Sequence, residues 1–235
     1  MHNNIDDIMI KGIAFDLEGT VIDVEEAHHK AHLNVARDAG VLLTLDEAIL
    51  KIPHFIGGPG KVLMQELYDL SNKSLSPEAM LQRGDEYYEE FLASLTIAPR
   101  PGFLDFLETA QRHGLEIAIG SLTPKNQATK LLEHSGLLKL FPMERITLEE
   151  HVKNLKPAPD VFLETARRMN ISPNEQLVFE DSPRGVQAAL TAGSKAIGMP
   201  VYKRSETIDA LWKAGASKVF LDWKSVNLAE LLQEL

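Results

Sequence analysis

The sequence predicts an α/β fold, a doubly wound parallel sheet with an inserted helical domain. Three observations support this class. From Leu115 onward, short apolar runs alternate with amphipathic segments, which is the pattern of a parallel sheet covered by helices. Another apolar run, residues 11–15, lies near the N-terminus. Between the two regions, residues 24–98 show helical periodicity and no convincing strand.

The predicted strands of the sheet are short, mostly rich in Ile and Val, and bounded by glycine, proline or polar residues. They are residues 11–15, 115–120, 176–179, 194–199 and 218–221. Helices are predicted between them, with proline at or near the start of three helices and Gly136 and Gly193 after two. These helices are residues 124–134, 159–169, 183–191 and 205–213.

The inserted domain is predicted from a block of helical patterns early in the chain. They cover residues 25–39, 45–51, 61–68 and 77–94. We therefore expect a core domain of residues 1–23 and 99–235 and a helical domain of residues 24–98. Residues 21–24 and the Pro-Arg-Pro-Gly stretch at 99–102 are the expected hinges.

Composition excludes several classes of function. The formal net charge is −10 without a run of Lys and Arg, so we expect no nucleic-acid partner and no membrane partner. The absence of cysteine excludes disulfides, thiolate metal sites and a cysteine nucleophile. The N-terminus lacks the basic start and apolar stretch of a signal peptide, and we expect a cytoplasmic protein.

Asp16, Glu18 and Gly19 directly follow the first predicted strand. Ligands of parallel sheets lie beyond the carboxyl ends of the strands. Carboxylates placed there can bind a hard cation, attack phosphorus or move protons. The glycine allows a sharp turn and brings backbone N–H groups close to an anion. Taken alone, the motif is equally compatible with an acidic turn at a strand end.

Glu180 and Asp181 form a second acidic pair, after the predicted strand 176–179. Locally, Asp181 or Ser182 is also a good helix N-cap, with Pro183 in the first turn. Two acidic pairs at two parallel strand ends would face one crevice, where like charges disfavour ionisation. Oxygen ligands favour magnesium as the compensating cation. We therefore expect Mg2+ as the cofactor.

Lys156 and Ser121 complete the set of candidate catalytic residues. Lys156 lies in a proline-rich loop before a predicted helix, and Ser121 follows the strand 115–120. A fixed cation stabilises the charge of a transferring phosphoryl group, and a hydroxyl can hold a phosphate oxygen. Considered singly, Lys156 would be a solvated lysine and Ser121 a polar residue that opens a turn.

The order of these four motifs resembles the haloacid dehalogenase superfamily over nearly the whole chain. The resemblance is carried by FDLEGT (15–20), IGS (119–121), LKPAPDVF (155–162) and FEDSPRGVQAALTAG (179–193). It implies a Rossmann-like core with a helical cap domain inserted after the first motif, as in β-phosphoglucomutase-like proteins and many sugar-phosphate phosphatases.

The resemblance also implies roles for individual residues. Asp16 attacks phosphorus and forms an aspartyl-phosphate, Glu18 gives and takes a proton, and Ser121 and Lys156 hold the transferring group. The residues implied as metal ligands are Asp16, Glu18 through its backbone carbonyl, Asp181, and Glu180 beside it. The residues expected at the substrate are Gly19, Thr20, His28, Lys61, Leu122 and Thr123.

The sequence departs from the family pattern in two places. Glu18 stands where the family usually has Asp, so the acid is one methylene longer and its reach to a leaving-group oxygen changes. Retention of an acid there argues against dehalogenation. In residues 57–61, where mutases carry an arginine, Lys61 is the only cation. This difference weakens the mutase interpretation.

His28 matches a histidine on the first cap helix of the mutases, and this match favours the mutase interpretation. His28 and His32 share a helix face, with His29 next to them. We interpret the cluster as a solvated helix face rather than a metal site, because no acidic partners are evident.

The expected function is a magnesium-dependent phosphatase acting on a small phosphorylated metabolite, such as a sugar phosphate, through an aspartyl-phosphate intermediate. Two alternatives remain at this stage. One is a hexose-phosphate mutase, and the other is a catalytically weak protein that binds a phosphorylated ligand. The expected assembly is a monomer or a weak homodimer.

Overall fold

The computed structural model describes residues 9–56 and 58–235. The chain divides into two units, Met1–Asp23 with Ile97–Leu235, called the α/β unit here, and Val24–Thr96, called the helical unit. All strands of the described chain belong to the α/β unit. The predictions made for the first eight residues and for Gly57 lie outside the described residues.

The α/β unit is built on a six-stranded parallel sheet. Its strands are β1 (Gly12–Phe15), β2 (Glu116–Gly120), β3 (Ile146–Thr147), β4 (Gln176–Glu180), β5 (Lys195–Gly198) and β6 (Lys218–Val219). The strand order is β3-β2-β1-β4-β5-β6, so the chain winds outward from β1 in both directions. This arrangement confirms the predicted α/β class with a doubly wound parallel sheet.

Ten α-helices occur in the described residues. They are α1 (Glu25–Asp38), α2 (Leu45–Lys51), α3 (Gly60–Leu70), α4 (Pro77–Ser94), α5 (Phe103–Arg112), α6 (Lys125–His134), α7 (Asp160–Met169), α8 (Pro183–Ala192), α9 (Ser205–Ala214) and α10 (Leu228–Glu234). The longest of them, α4, has 18 residues and several charged side chains. Within the described chain, no helix has both the length and the apolar character needed to cross a membrane.

Three elements of the α/β unit were not predicted from the sequence. The strand β3 has two residues, which is too short to show a periodic pattern. Helix α5 buries Phe103, Phe106, Leu107 and Ala110, a clear helical spacing. That signal was missed because it follows directly on the stretch assigned as a hinge. Helix α10 covers seven residues at the end of the chain.

The core of the α/β unit lies on both faces of the central strands, which explains their continuous apolar sequences. On one face, Ala14 of β1 and Val178 of β4 pack against side chains of α7 and α8. On the other face, Phe15 stacks on Phe179 with ring centroids 5.8 Å apart. Trp223 contacts both rings. Burial of β1 on both faces fixes the position of the residues that follow it.

The helical unit has its own core. Helix α4 packs against α1 and α3. The buried side chains between these helices include Val35, Leu63, Met64, Leu67 and Met80. Two helices begin with side-chain caps. Thr44 and Glu47 form a reciprocal capping box at α2, and the Ser76 side chain accepts a hydrogen bond from the Ala79 N–H at α4.

Candidate active site

The predicted catalytic residues of the α/β unit lie at the carboxyl end of the sheet. The strand β1 pairs with β2 on one side and with β4 on the other, with Phe15 opposite Ile119 and Phe179. The backbone N–H of Asp16 donates to the Phe179 carbonyl at 3.0 Å. This register places Asp16 between the ends of β2 and β4, as expected for the ligand crevice of a doubly wound sheet.

Lys156 is buried between two carboxylates. Its Nζ lies 2.6 Å from Asp16 Oδ1 and 2.6 Å from Glu180 Oε1, and it donates to the Gly120 carbonyl at 3.3 Å. The Lys156 side chain is 9% exposed, so the alternative of a solvated lysine is wrong. One ammonium group therefore links the ends of β1, β2 and β4.

The charges in this cluster are strongly coupled. Burial raises the pKa of the Asp16 carboxyl to about 7, Lys156 opposes this shift, and Glu180 and Glu18 add to it. Burial by itself would lower the pKa of Lys156, but the attraction of Asp16 and Glu180 outweighs it and raises that pKa. Lys156 is therefore a permanent cation, and further positive charge beside Asp16 would favour its ionised form.

Glu180 is held on both of its oxygens. Oε1 accepts from Lys156, while Oε2 accepts from the Ser182 N–H and hydroxyl, each at 2.9 Å. Ser182 also caps α8 by accepting from the Gly185 N–H at 3.1 Å. This finding confirms Ser182, rather than Asp181, as the N-cap. A Cβ on Gly185 would lie 1.7 Å from Glu180 Oε1, so a side chain there would displace the Glu180 carboxylate.

Asp16, Glu180 and Asp181 can each point one carboxylate oxygen into a common space, with these atoms all within 4.8 Å of one another. Gly19 lies beside them, with a φ of +82°, and a Cβ there would lie 2.3 Å from Asp181 Oδ2. An all-oxygen set of partly buried carboxylates fits a hard divalent cation such as Mg2+. Glu18 was expected to contribute its backbone carbonyl, and its side chain is not part of this group.

Glu18 is connected to the end of β2 through Thr123. The Thr123 hydroxyl donates to Glu18 Oε1 at 2.5 Å. The Ser121 and Thr123 hydroxyls lie 2.8 Å apart, and the Thr123 N–H donates to Ser121 Oγ at 3.2 Å. Ser121 and Thr123 are both buried. Leu122 between them is half-buried and packs against the core on the α7 side of the sheet.

Two residues that hold the loop after β1 were missed in the sequence. Arg100 Nη1 donates to the Gly19 carbonyl at 2.6 Å and to the Met199 carbonyl at 2.8 Å. Trp223 Nε1 donates to the Thr20 carbonyl at 3.1 Å. The Thr20 hydroxyl is buried and has no hydrogen-bond partner within the described structure. No sequence pattern predicts these contacts, because they join segments about 80 to 200 positions apart.

The candidates in the helical unit have different surroundings from those expected. His28 stacks on Tyr88 at 3.9 Å between ring centroids, and His29 is buried against Phe55. Burial lowers the pKa of His32 to about 3, with His28 and His29 adding to the shift, and its Nδ1 has no hydrogen-bond partner in the described chain. The interpretation of this cluster as a solvated face is therefore wrong. Lys61 is exposed in the first turn of α3.

Comparison with known proteins agrees with the fold. The sequence model of the haloacid dehalogenase-like hydrolases matches residues 13–199. The chain is 33% identical over 187 residues to the fructose-1-phosphate phosphatase YqaB of Escherichia coli, which covers 79% of this chain and 94% of that protein. It is 29% identical over 209 residues to a phosphorylated carbohydrates phosphatase of Thermotoga maritima, with 88% and 92% of the two chains covered.

Solved structures share this fold. A haloacid dehalogenase hydrolase of Entamoeba histolytica superposes with a TM-score of 0.81 at 20% identity, covering 95% of this chain and 98% of the other. CbbY of Rhodobacter sphaeroides, solved with xylulose-1,5-bisphosphate, gives a TM-score of 0.74 at 24% identity, covering 95% and 99%. At these identities the superpositions establish the fold. From the matched motifs and the relative above 30% identity, the chain belongs to the haloacid dehalogenase-like hydrolase family.

Proposed function

We propose that this protein is a magnesium-dependent phosphatase that hydrolyses a phosphate monoester of a small carbohydrate through an aspartyl-phosphate on Asp16. One observation carries the proposal. Asp16 is buried at a strand end, with Lys156 2.6 Å from its Oδ1, beside two more carboxylates that can share a cation. A nucleophile, a fixed positive charge and a metal site therefore meet at one point.

In the first step, a carboxylate oxygen of Asp16 attacks phosphorus and the bond from phosphorus to the ester oxygen breaks. Glu18 donates a proton to that oxygen, and the sugar leaves as an alcohol. In the second step, water attacks phosphorus, Glu18 takes a proton from it, and the aspartyl-phosphate bond breaks to release inorganic phosphate. Lys156 and Ser121 hold the phosphoryl oxygens in both steps.

The divalent cation would be held by Asp16, Glu180 and Asp181. When bound, it neutralises phosphate charge and the mutual repulsion of these carboxylates. Of these three ligands, Asp16 and Glu180 also accept hydrogen bonds from Lys156, so both carboxylates would contact both positive charges. Arg100 and Trp223 fix the Gly19–Thr20 backbone that follows the nucleophile.

The substrate class is proposed from the relatives. A fructose-1-phosphate phosphatase and a phosphorylated carbohydrates phosphatase align with most of this chain. We propose that the helical domain of residues 24–98 acts as the cap that selects the sugar, with His28 and Lys61 as contributors. Gly19, Thr20 and Leu122 stay predicted substrate contacts. Gly19 and Thr20 are buried, and we propose that they act through backbone groups.

The test is phosphate release from a panel of sugar phosphates, with Mg2+ or with EDTA. We expect release that needs Mg2+ and that disappears in Asp16→Asn. Asp105→Asn serves as the matched control, since Asp105 is exposed on α5, and it should keep wild-type activity. Isomerisation of a sugar phosphate faster than its hydrolysis would establish a mutase instead. A ligand-induced rise in melting temperature without turnover would indicate a binding protein.

A further inference from the structure

The acid at position 18, which is one methylene longer than the usual Asp of the family, has a hydrogen-bond partner in the structure. Glu18 Oε1 accepts a hydrogen bond from the Thr123 hydroxyl at 2.5 Å. Thr123 is 6% exposed and lies three residues beyond the end of β2, while Glu18 lies three residues beyond the end of β1. The contact therefore crosses between two neighbouring strand ends and is buried on the Thr123 side.

Thr123 is itself held in place. Its N–H donates to Ser121 Oγ at 3.2 Å, and its hydroxyl oxygen lies 2.8 Å from Ser121 Oγ. Because the Thr123 proton is donated to Glu18, Ser121 must be the donor in the contact between the two hydroxyls. Hydroxyl protons thus run from Ser121 to Thr123 and from Thr123 to the Glu18 carboxylate, until a bound phosphoryl oxygen accepts the Ser121 proton instead.

The longer side chain is needed for this contact. Replacing Glu18 by Asp removes one methylene and withdraws the carboxylate by about 1.5 Å, the length of one carbon–carbon bond. The distance of 2.5 Å would then lengthen to at most about 4 Å, which is beyond hydrogen-bond range. The length of the Glu18 side chain and the position of the Thr123 hydroxyl are therefore matched to each other.

We propose that Thr123 is a positioning residue that holds the Glu18 carboxylate where it exchanges its proton with the leaving group and with water. This inference rests on the proposed phosphatase function. Acid–base catalysis by a positioned side chain contributes about 10²–10⁴-fold to rate. A carboxylate released from its hydrogen bond samples several rotamers, so part of that factor is lost while substrate binding is kept.

The experiment is a double-mutant cycle on kcat and KM for fructose 1-phosphate, with Thr123→Val, Glu18→Asp and the double variant. We expect Thr123→Val to lower kcat about 10–100-fold with KM within about twofold of the wild type, as for a lost positioning contact. Thr123→Ser, which keeps the hydroxyl, should recover most of the rate. In the Glu18→Asp background, Thr123→Val should change kcat less than about threefold, because the contact is already broken.

Control variants distinguish a positioning role of Thr123 from a role in folding, and test it separately from the proposed phosphatase function. Thr129→Val makes the same chemical change on α6, where the hydroxyl donates to a helix carbonyl, and should leave kcat unchanged. The positioning role of Thr123 would be refuted by a wild-type kcat in Thr123→Val. It would also be refuted if the effects of Thr123→Val and Glu18→Asp multiply in the double variant. Neither result would refute the proposed phosphatase. Absence of turnover of every sugar phosphate in the panel by the wild type would reject the phosphatase, and the inference with it.

Discussion

Replacing Lys156 by methionine tests how the buried charges are balanced. The methionine keeps the apolar stem and removes the ammonium group that lies 2.6 Å from both Asp16 and Glu180. Two carboxylates would then be buried next to each other without their cation. Removal of one partner from a buried ion pair costs about 3–5 kcal/mol. For a chain of this size we expect Tm to fall by roughly 6–20 °C, at about 2–4 °C for each kcal/mol.

The assay is urea unfolding in EDTA, followed by tryptophan fluorescence. Both tryptophans, Trp212 and Trp223, belong to the α/β unit, so the signal reports the unit that holds Lys156. Lys153→Met is the matched control, because Lys153 is exposed in the same loop. Lys156→Met should also lower kcat by about 10²-fold or more, since a fixed donor to the phosphoryl group is removed. If the free energy of unfolding of Lys156→Met is less than about 1 kcal/mol below that of Lys153→Met, Lys156 does not balance the charges of Asp16 and Glu180.

Two other predictions concern stability outside this ion pair. The lowered pKa of His32, about 3 against 6.5 when unfolded, means that the folded protein binds fewer protons between these values. Stability from this residue is therefore complete above pH 6.5 and falls on acidification, by about 2 kcal/mol from pH 7 to 5. Amide-exchange protection in α1 measures the loss, which should be absent in His32→Leu; equal pH slopes in both proteins would contradict the prediction. Arg100→Met should cost about 2 kcal/mol and lower kcat, because buried carbonyls of Gly19 and Met199 lose their donor. Urea unfolding and turnover that match the wild type would show that Arg100 does not hold this loop.

The sequence predicted the fold class because the central strands are buried on both faces. Apolar runs such as those of β1 and β4 are visible without any structural context, and parallel strands place their carboxyl ends together. The two acidic pairs could therefore be assigned to one crevice from their places at strand ends, while Ser121 and Lys156 were assigned to it through the family resemblance. Whether each of them acts as proposed stays a prediction until the variants are measured.

The sequence could not predict contacts that depend on side-chain reach. Arg100 and Trp223 hold backbone carbonyls of distant loops, and no local pattern marks them. The pairing of Glu18 with Thr123 depends on one methylene, which only the structure relates to a partner. The burial of His29 and of the His32 Nδ1 atom was missed for a similar reason, since helical spacing gives a shared face but not what covers it.

The central claim is that phosphate is transferred to Asp16 and then to water. The most direct measurement is acid quenching of the enzyme during turnover of fructose 1-phosphate, followed by mass spectrometry of the peptides. We expect a phosphorylated peptide whose modification maps to Asp16 in the wild type and is absent in Asp16→Asn. Hydrolysis of the sugar phosphate that persists in Asp16→Asn, with no phosphate on Asp16 in the wild type, would contradict the account.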